Sequence, residues 1–227
     1  MLIYGKNVAK EIALNQIEKV YLSDTFKDQD ILKKLKPKNI IRRSNNDLDK
    51  MVKANHQGII LQVKDFYYSS LEDLLASDNP FLIMLDHLED PHNFGAIIRS
   101  AEAAGVDGII IAKNRSVNVN ETVMKTSAGA LNNIKVAMVT NLVSTIKTLK
   151  EENFTVIGTD MEGTDYKKLD YKNKTCLVIG NEGKGMSRLV KENLDDIATI
   201  KMKGSINSLN ASVAAAIILF EASYQRK

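Results

Sequence analysis

From Phe81 onward, short apolar runs alternate with stretches of helical periodicity. The runs Phe81–Leu85, Gly108–Ala112, Ile134–Val139, Thr155–Gly158, Thr175–Ile179 and Ile197–Ile200 read as strands. Helical spacing occupies residues 93–104, 120–128, 141–152 and 186–194, and a long apolar helix is predicted over 208–224. Strands that are apolar on both faces, alternating with helices, predict a parallel sheet covered on both sides. In such sheets ligands bind at the carboxyl ends of strands, so chemistry is expected in the loops that follow them.

The first 70 residues read differently. Asn7 is placed to cap a helix carrying Val8 and Ile12, and Lys19–Leu22 reads as a strand. A helix over 30–36 is stopped by Pro37, and Asn39–Arg42 is a second short strand. Ser44 or Asn45 can cap a helix through Met51 and Val52. A His56-Gln57-Gly58 turn then leads into the strand Ile59–Val63, with His56 shaping the turn. The expected organisation is therefore α/β throughout. A small N-terminal unit spans 1–70, and a linker over 71–80 contains Leu71, Leu74 and Leu75 and closes at Asn79-Pro80. A larger domain follows at 81–227.

Composition narrows the functional classes. With 44% hydrophobic residues the chain can bury a core. Its single cysteine, Cys176, excludes an internal disulfide and a cysteine-based zinc site. His87, His92 and Cys176 lack a third ligand at useful spacing, so no metal is expected. No secretory leader is visible, and the longest apolar run, Val213–Phe220, falls short of the ~20 residues a bilayer span needs. A cytoplasmic location and no membrane partner are expected. The net charge of +3 is unevenly spread: residues 1–70 hold 13 Lys and Arg against 8 Asp and Glu, the remainder 18 against 20. A basic small unit beside a slightly acidic large one suits docking on a polyanion such as RNA.

Three segments carry candidate chemistry. The first runs from Leu85 to Gly105 and includes Asn93-Phe94-Gly95-Ala96-Ile97-Ile98-Arg99. Phe94, Ile97, Ile98 and Ala101 share one helix face, with Arg99 and Glu102 opposite; a capping Asn93 and a solvated Arg99–Glu102 pair would account for the same pattern. The second, Gly180-Asn181-Glu182-Gly183-Lys184-Gly185, follows a buried strand. Its glycines allow close backbone approach to a ligand, its spacing matches neither a Walker loop nor a dinucleotide fingerprint, and a purely structural turn would read alike. The third, Ile200 to Ser212, contains Ser208-Leu209-Asn210 before the last helix, where Ser208 would serve as an N-cap.

In order and wording together, these segments resemble the three motifs of the SpoU (TrmH-type) branch of the SPOUT RNA methyltransferases. The resemblance covers about residues 80–227. The segments Tyr4-Gly5-Lys6-Asn7-Val8 and His56-Gln57-Gly58-Ile59 resemble the ribosomal-protein-like substrate-binding domain that precedes the catalytic domain in some members, notably the RlmB-type branch. The resemblance implies S-adenosylmethionine-dependent 2′-O-methylation of an RNA ribose, foremost a guanosine in 23S rRNA, with tRNA or a resistance-type rRNA site as alternatives. A non-catalytic RNA-binding subunit is a third possibility, against which the full motif set argues. The implied fold is a parallel-sheet domain whose C-terminal segment forms a deep trefoil knot. Arg99, Asn93, Glu182, Ser208 and Asn210 are the implied catalytic set, and Gly180, Ile200 and Leu209 the implied cofactor-binding positions. A homodimer is implied, with Arg99 of one subunit facing the cofactor of the other. Lys201 departs from the proline that many members carry after Ile200.

Overall fold

The computed structural model describes residues 1–226 and divides into two compact units, residues 1–67 and residues 68 onward. The smaller unit is a four-stranded sheet in the order β1-β4-β2-β3, from β1 (Leu2–Tyr4), β2 (Ile17–Ser23), β3 (Ile40–Arg43) and β4 (Ile59–Val63). β4 lies antiparallel to both β1 and β2, and β2 runs parallel to β3. Three short helices, α1 (Lys6–Glu11), α2 (Gln29–Leu35) and α3 (Asn45–Met51), accompany it. Ile3, Val20, Leu22, Ile31, Leu35, Leu48 and Ile59 to Leu61 form its buried interior.

Two helix starts differ from expectation. Asn7 lies inside α1, whose capping position falls to Gly5 at φ +99°, a conformation glycine adopts without strain. Asp28 caps α2 by accepting the Ile31 N–H. Ser44 caps α3 as the sequence predicts. Strand β1 carries no pattern long enough to be recognised.

The larger unit is a six-stranded sheet in the order β10-β8-β9-β5-β6-β7, with every pair parallel. Its strands are β5 (Phe81–Leu85), β6 (Gly108–Ala112), β7 (Lys135–Val139), β8 (Thr155–Asp165), β9 (Thr175–Ile179) and β10 (Asp196–Thr199). β5, β6 and β9 are buried at every position, which explains why they read as unbroken apolar runs. The chain moves outward through β5, β6 and β7, then returns so that β9 lies on the other side of β5. The reversal between β5 and β9 is where a parallel sheet opens a crevice for ligands.

The helices are α4 (Leu71–Leu74), α5 (Pro91–Ala103), α6 (Glu121–Thr126), α7 (Leu142–Glu151), α8 (Arg188–Lys191) and α9 (Ala211–Gln225). Residues 71–74, expected within a linker, form α4: Ser70 and Asp73 make a reciprocal capping box, and Leu74 is buried in this unit's core. α5 starts at Pro91, two residues before Asn93. Asp90 supplies the cap and proline occupies the first helical position, where its missing N–H costs nothing. α8 is shorter than the predicted 186–194. β8 runs well past Gly158, because its polar continuation to Asp165 pairs with the end of β10 across a register shift. The last helix begins at Ala211, and its cap is Asn210, not Ser208; residues 200–210 are irregular.

Candidate active site

β5 and β9 pair with Leu85 opposite Ile179, so the chain leaves both strands at one level. Asp86 N–H donates to the Ile179 carbonyl at 2.8 Å. The Asp86 carboxylate, only 1% exposed, accepts the Ser187 N–H at 2.6 Å through Oδ2, while Oδ1 lies 2.5 Å from His87 Nδ1. A second strap crosses the same gap: Asn181 Nδ2 donates to the His87 carbonyl at 2.9 Å. The glycine-rich loop is thus tied to the first motif at both ends.

Within that loop Asn181 and Gly185 exchange backbone hydrogen bonds, and Asn181 Oδ1 accepts the N–H groups of Gly183 and Lys184. Gly180 sits under the closure. A Cβ there would lie 2.5 Å from the Gly185 carbonyl carbon and the Met186 nitrogen, so no side chain fits. Gly95 has a comparable role on α5: a Cβ would lie 2.5 Å from Thr126 Cβ, and its absence lets α6 pack against α5.

Asn93 is 8% exposed and joins all three motifs. It does not cap a helix. Its Nδ2 donates to Glu182 Oε1 at 2.8 Å, and its Oδ1 accepts from Asn210 Nδ2 at 2.9 Å. Asn210 in turn caps α9, its Oδ1 accepting from Ser212 N at 2.9 Å and Ser212 Oγ at 2.6 Å. Each amide is used as donor and acceptor at once, which fixes its orientation.

Arg99 lies six residues further along α5, exposed, with no hydrogen bond or ion pair among the described residues. The expected partnership with Glu102 is absent; Glu102 accepts from Asn133 Nδ2 at 2.9 Å instead. Ser208 is exposed and likewise unpaired. Ile200 is half-buried, while Leu209 and Ile206 are apolar side chains left exposed in the loop before α9. Asn93, Glu182 and Asn210 are therefore in direct contact, whereas Arg99, Ser208, Ile200 and Leu209 lie on neighbouring segments without touching that chain through hydrogen bonds.

Two connectors carry no role in the sequence reading: Asp86 and Asn181. Their signal is positional, since each directly follows or nearly follows a buried strand. Burial pushes the Cys176 thiol well above its ordinary value, which leaves it an inert core group. No cluster of three His, Cys, Asp or Glu that could hold a metal ion occurs among the described residues. A cavity of about 390 Å3, lined by Asp73, Ser77, Asp107 and Lys135, lies by the starts of β6 and β7, away from the motif loops.

Comparison with known proteins bears on the family and the fold. The model of the SpoU rRNA methylase family matches residues 80–220, and a model described as RNA 2′-O ribose methyltransferase substrate binding matches residues 2–69. The chain belongs to the SpoU rRNA methylase family. A Staphylococcus saprophyticus protein named as a TrmH family tRNA/rRNA methyltransferase is 41% identical over 234 residues, covering 97% of this chain and 94% of its own. The fold matches the SpoU methyltransferase AviRb of Streptomyces viridochromogenes, solved with AdoMet, at TM-score 0.84 and 24% identity over 100% of this chain and 90% of that one. An AdoMet-bound rRNA methyltransferase of Sinorhizobium meliloti matches at TM-score 0.78 and 25% identity, over 97% and 85% of the two chains. The protein is thus an RNA methyltransferase of the SpoU family, and its cofactor is S-adenosylmethionine. The residues present suit that cofactor: the loop closed over side-chain-free Gly180 and the exposed backbone around Ile200 and Leu209 offer main-chain groups beside apolar side chains.

Proposed function

We propose that this protein methylates a ribose 2′-hydroxyl of RNA, with a guanosine of 23S rRNA as its target. The observation that carries this reading is the hydrogen-bonded chain from Asn210 through Asn93 to Glu182. It locks three motif segments together at the β5/β9 crevice, and α5, which carries Asn93, also carries the exposed, unpaired Arg99.

S-adenosylmethionine supplies a methyl group already activated on a sulfonium, so the chain must align the hydroxyl and stabilise the charge that develops on it. Gly180, Ile200 and Leu209 hold the cofactor through main-chain groups. Arg99 binds phosphate and the developing alkoxide; a guanidinium keeps its proton at neutral pH, so it acts as an electrostatic clamp in preference to a free base. Asn93, Glu182, Ser208 and Asn210 position the ribose and the loops. The small unit, with its excess of Lys and Arg, selects the RNA. Among the described residues no helix is long and apolar enough to cross a membrane.

The working form is a homodimer with a composite site. α9 is strongly apolar from Val213 to Phe220, and Val213 and Phe220 remain 47% and 52% exposed on it, a surface that a second copy would cover. Arg99 then serves the cofactor bound by the partner.

Transfer of labelled methyl to 23S rRNA and to unmodified tRNA transcripts tests target choice. Incorporation into 23S rRNA is the expected result. Incorporation confined to tRNA would replace it with the tRNA reading, which the tRNA/rRNA naming of the Staphylococcus relative leaves as the second choice.

A further inference from the structure

The smaller unit contains a cavity of about 520 Å3 that the methyl-transfer site does not use. It is lined by residues from four separate segments, including Lys6, Phe26, Lys27, Asn45, Gln57 and Gly58. Two of those segments are the ones flanking Gly5 and Gln57 that stand out in the sequence. The fold joins them: Lys6 N–H donates to Gln57 Oε1 at 2.8 Å, and Gly5 N–H to the Ile59 carbonyl at 3.2 Å.

The walls are fixed in advance. His56 is buried, accepts the Gly58 N–H on Nδ1 at 3.0 Å and meets Asp49 through Nε2 at 3.0 Å, which holds the turn. Gly58 has φ +77°, and a Cβ there would lie 2.8 Å from Ser23 Oγ and 3.3 Å from the Phe26 ring. The absent side chain is part of what keeps the cavity open.

Its chemistry is mixed in a specific way. Lys6 Nζ lies 5.5 Å from the Phe26 ring centroid and 3.8 Å from Asp28, so its charge is partly balanced. Lys27 is exposed and unpaired, leaving the cavity with one net positive charge. The Asn45 amide has no partner among the described residues, and Gln57 keeps its amide N–H groups after its oxygen accepts from Lys6. Two amides lining one cavity can read the edge of a base, and cations suit the phosphate beside it. The volume lies within the ~300–1,000 Å3 typical of small-ligand sites.

We infer that this cavity receives one unstacked nucleotide of the RNA substrate, with its phosphate against Lys6 and Lys27 and its base edge against Asn45 and Gln57. The inference rests on the RNA-methyltransferase reading, and assigns the smaller unit a discrete single-strand contact in addition to diffuse charge attraction.

The test uses the full-length protein with cofactor and a 23S rRNA transcript, comparing wild type with Asn45→Ala, Lys27→Ala and Gln57→Ala. All three positions are on the surface of the cavity, and circular dichroism checks the fold. The expected result is RNA affinity weakened about tenfold in Asn45→Ala. KM for RNA should rise in step, while kcat at saturating RNA and cofactor affinity stay unchanged. Lys27→Ala should also reduce the salt dependence of binding by about one charge. Guanosine monophosphate should compete only weakly, because an isolated nucleotide lacks the flanking contacts. Methylation of RNA with unchanged affinity in all three variants would overturn the nucleotide pocket and leave the enzymatic reading standing. Tight binding of the free nucleotide, with RNA affinity unaffected by the substitutions, would overturn it in favour of a small-molecule site. Absence of methyl transfer to any RNA would instead count against the enzymatic reading; the pocket would still be judged by transcript binding, and no loss on substitution would overturn it.

Discussion

Asn210 donates its side-chain amide to Asn93 Oδ1 at 2.9 Å, across 117 positions of sequence. The contact fastens the N-terminal cap of the last helix to the first turns of α5. Through the other end of the Asn93 amide it reaches Glu182 in the glycine-rich loop. The glycine-rich loop and the segment before the last helix are therefore both tied to α5 by one shared side chain.

Replacing Asn93 should break both links at once. Asn93→Ala leaves Glu182 and Asn210 without their common partner in a partly buried site, and should cost about 1–3 kcal/mol of stability. Cofactor affinity and kcat should both fall. Thermal unfolding and titration calorimetry read these separately. Asn93→Asp, which keeps the acceptor for Asn210 but sets a second carboxylate against Glu182, should bind cofactor no better than the alanine variant.

Arg99→Ala should behave oppositely. The side chain is exposed and unpaired, so its removal should leave the melting temperature within about 1 °C of wild type, a surface-type change. Turnover should drop about 10²-fold or more if the guanidinium stabilises charge in the transition state. Lost cofactor affinity with normal turnover at saturation would assign Arg99 to cofactor binding instead.

Asp86 offers a test of the straps. Its buried carboxylate accepts from Ser187 and meets His87. Asp86→Ala should release the C-terminal end of the glycine-rich loop and weaken cofactor binding about tenfold or more, in line with loss of a buried charge-assisted hydrogen bond. Hydrogen exchange across residues 180–187 should rise in the same variant and stay unchanged in Arg99→Ala.

The extent to which all this was legible follows from burial. Phe81–Leu85, Gly108–Ala112 and Thr175–Ile179 match their strands residue for residue, because a strand buried on both faces leaves a nearly continuous apolar run; Ile59–Val63 also matches, with the half-buried Gln62 as its one polar position. Helix starts were less legible. Asp90 and Asn210 compete with nearby Asn93 and Ser208 as caps, and only the backbone path decides which side chain reaches back. The far half of β8, Thr159 to Asp165, is polar and gives no strand signal; its pairing with β10 creates it. Motif wording singled out Asn93, Glu182 and Asn210, and the fold brings those three side chains into contact. Their mutual hydrogen bonds, and the straps from Asp86 and Asn181, depend on long-range pairing of β5 with β9 that no local pattern encodes.

The proposed composite homodimer makes a quantitative prediction. Arg99→Ala and Leu209→Arg should each be inactive, the first lacking the clamp and the second with its cofactor pocket blocked. A mixed dimer carries one site built from intact Arg99 and an intact pocket, so doubly tagged dimers should recover about half of wild-type activity. A well-folded mixed dimer with no recovery would mean that each site is built within one chain.

The central claim concerns the atom that receives the methyl group. The most direct measurement incubates the protein with isotopically labelled S-adenosylmethionine and a 23S rRNA transcript, digests the RNA to nucleosides and identifies the labelled product by mass spectrometry. The account predicts label in 2′-O-methylguanosine at a single site, formed about 10²-fold or more slowly with Arg99→Ala. Label on a nucleobase, or label in 2′-O-methyl nucleosides that persists unchanged in Arg99→Ala, would contradict it.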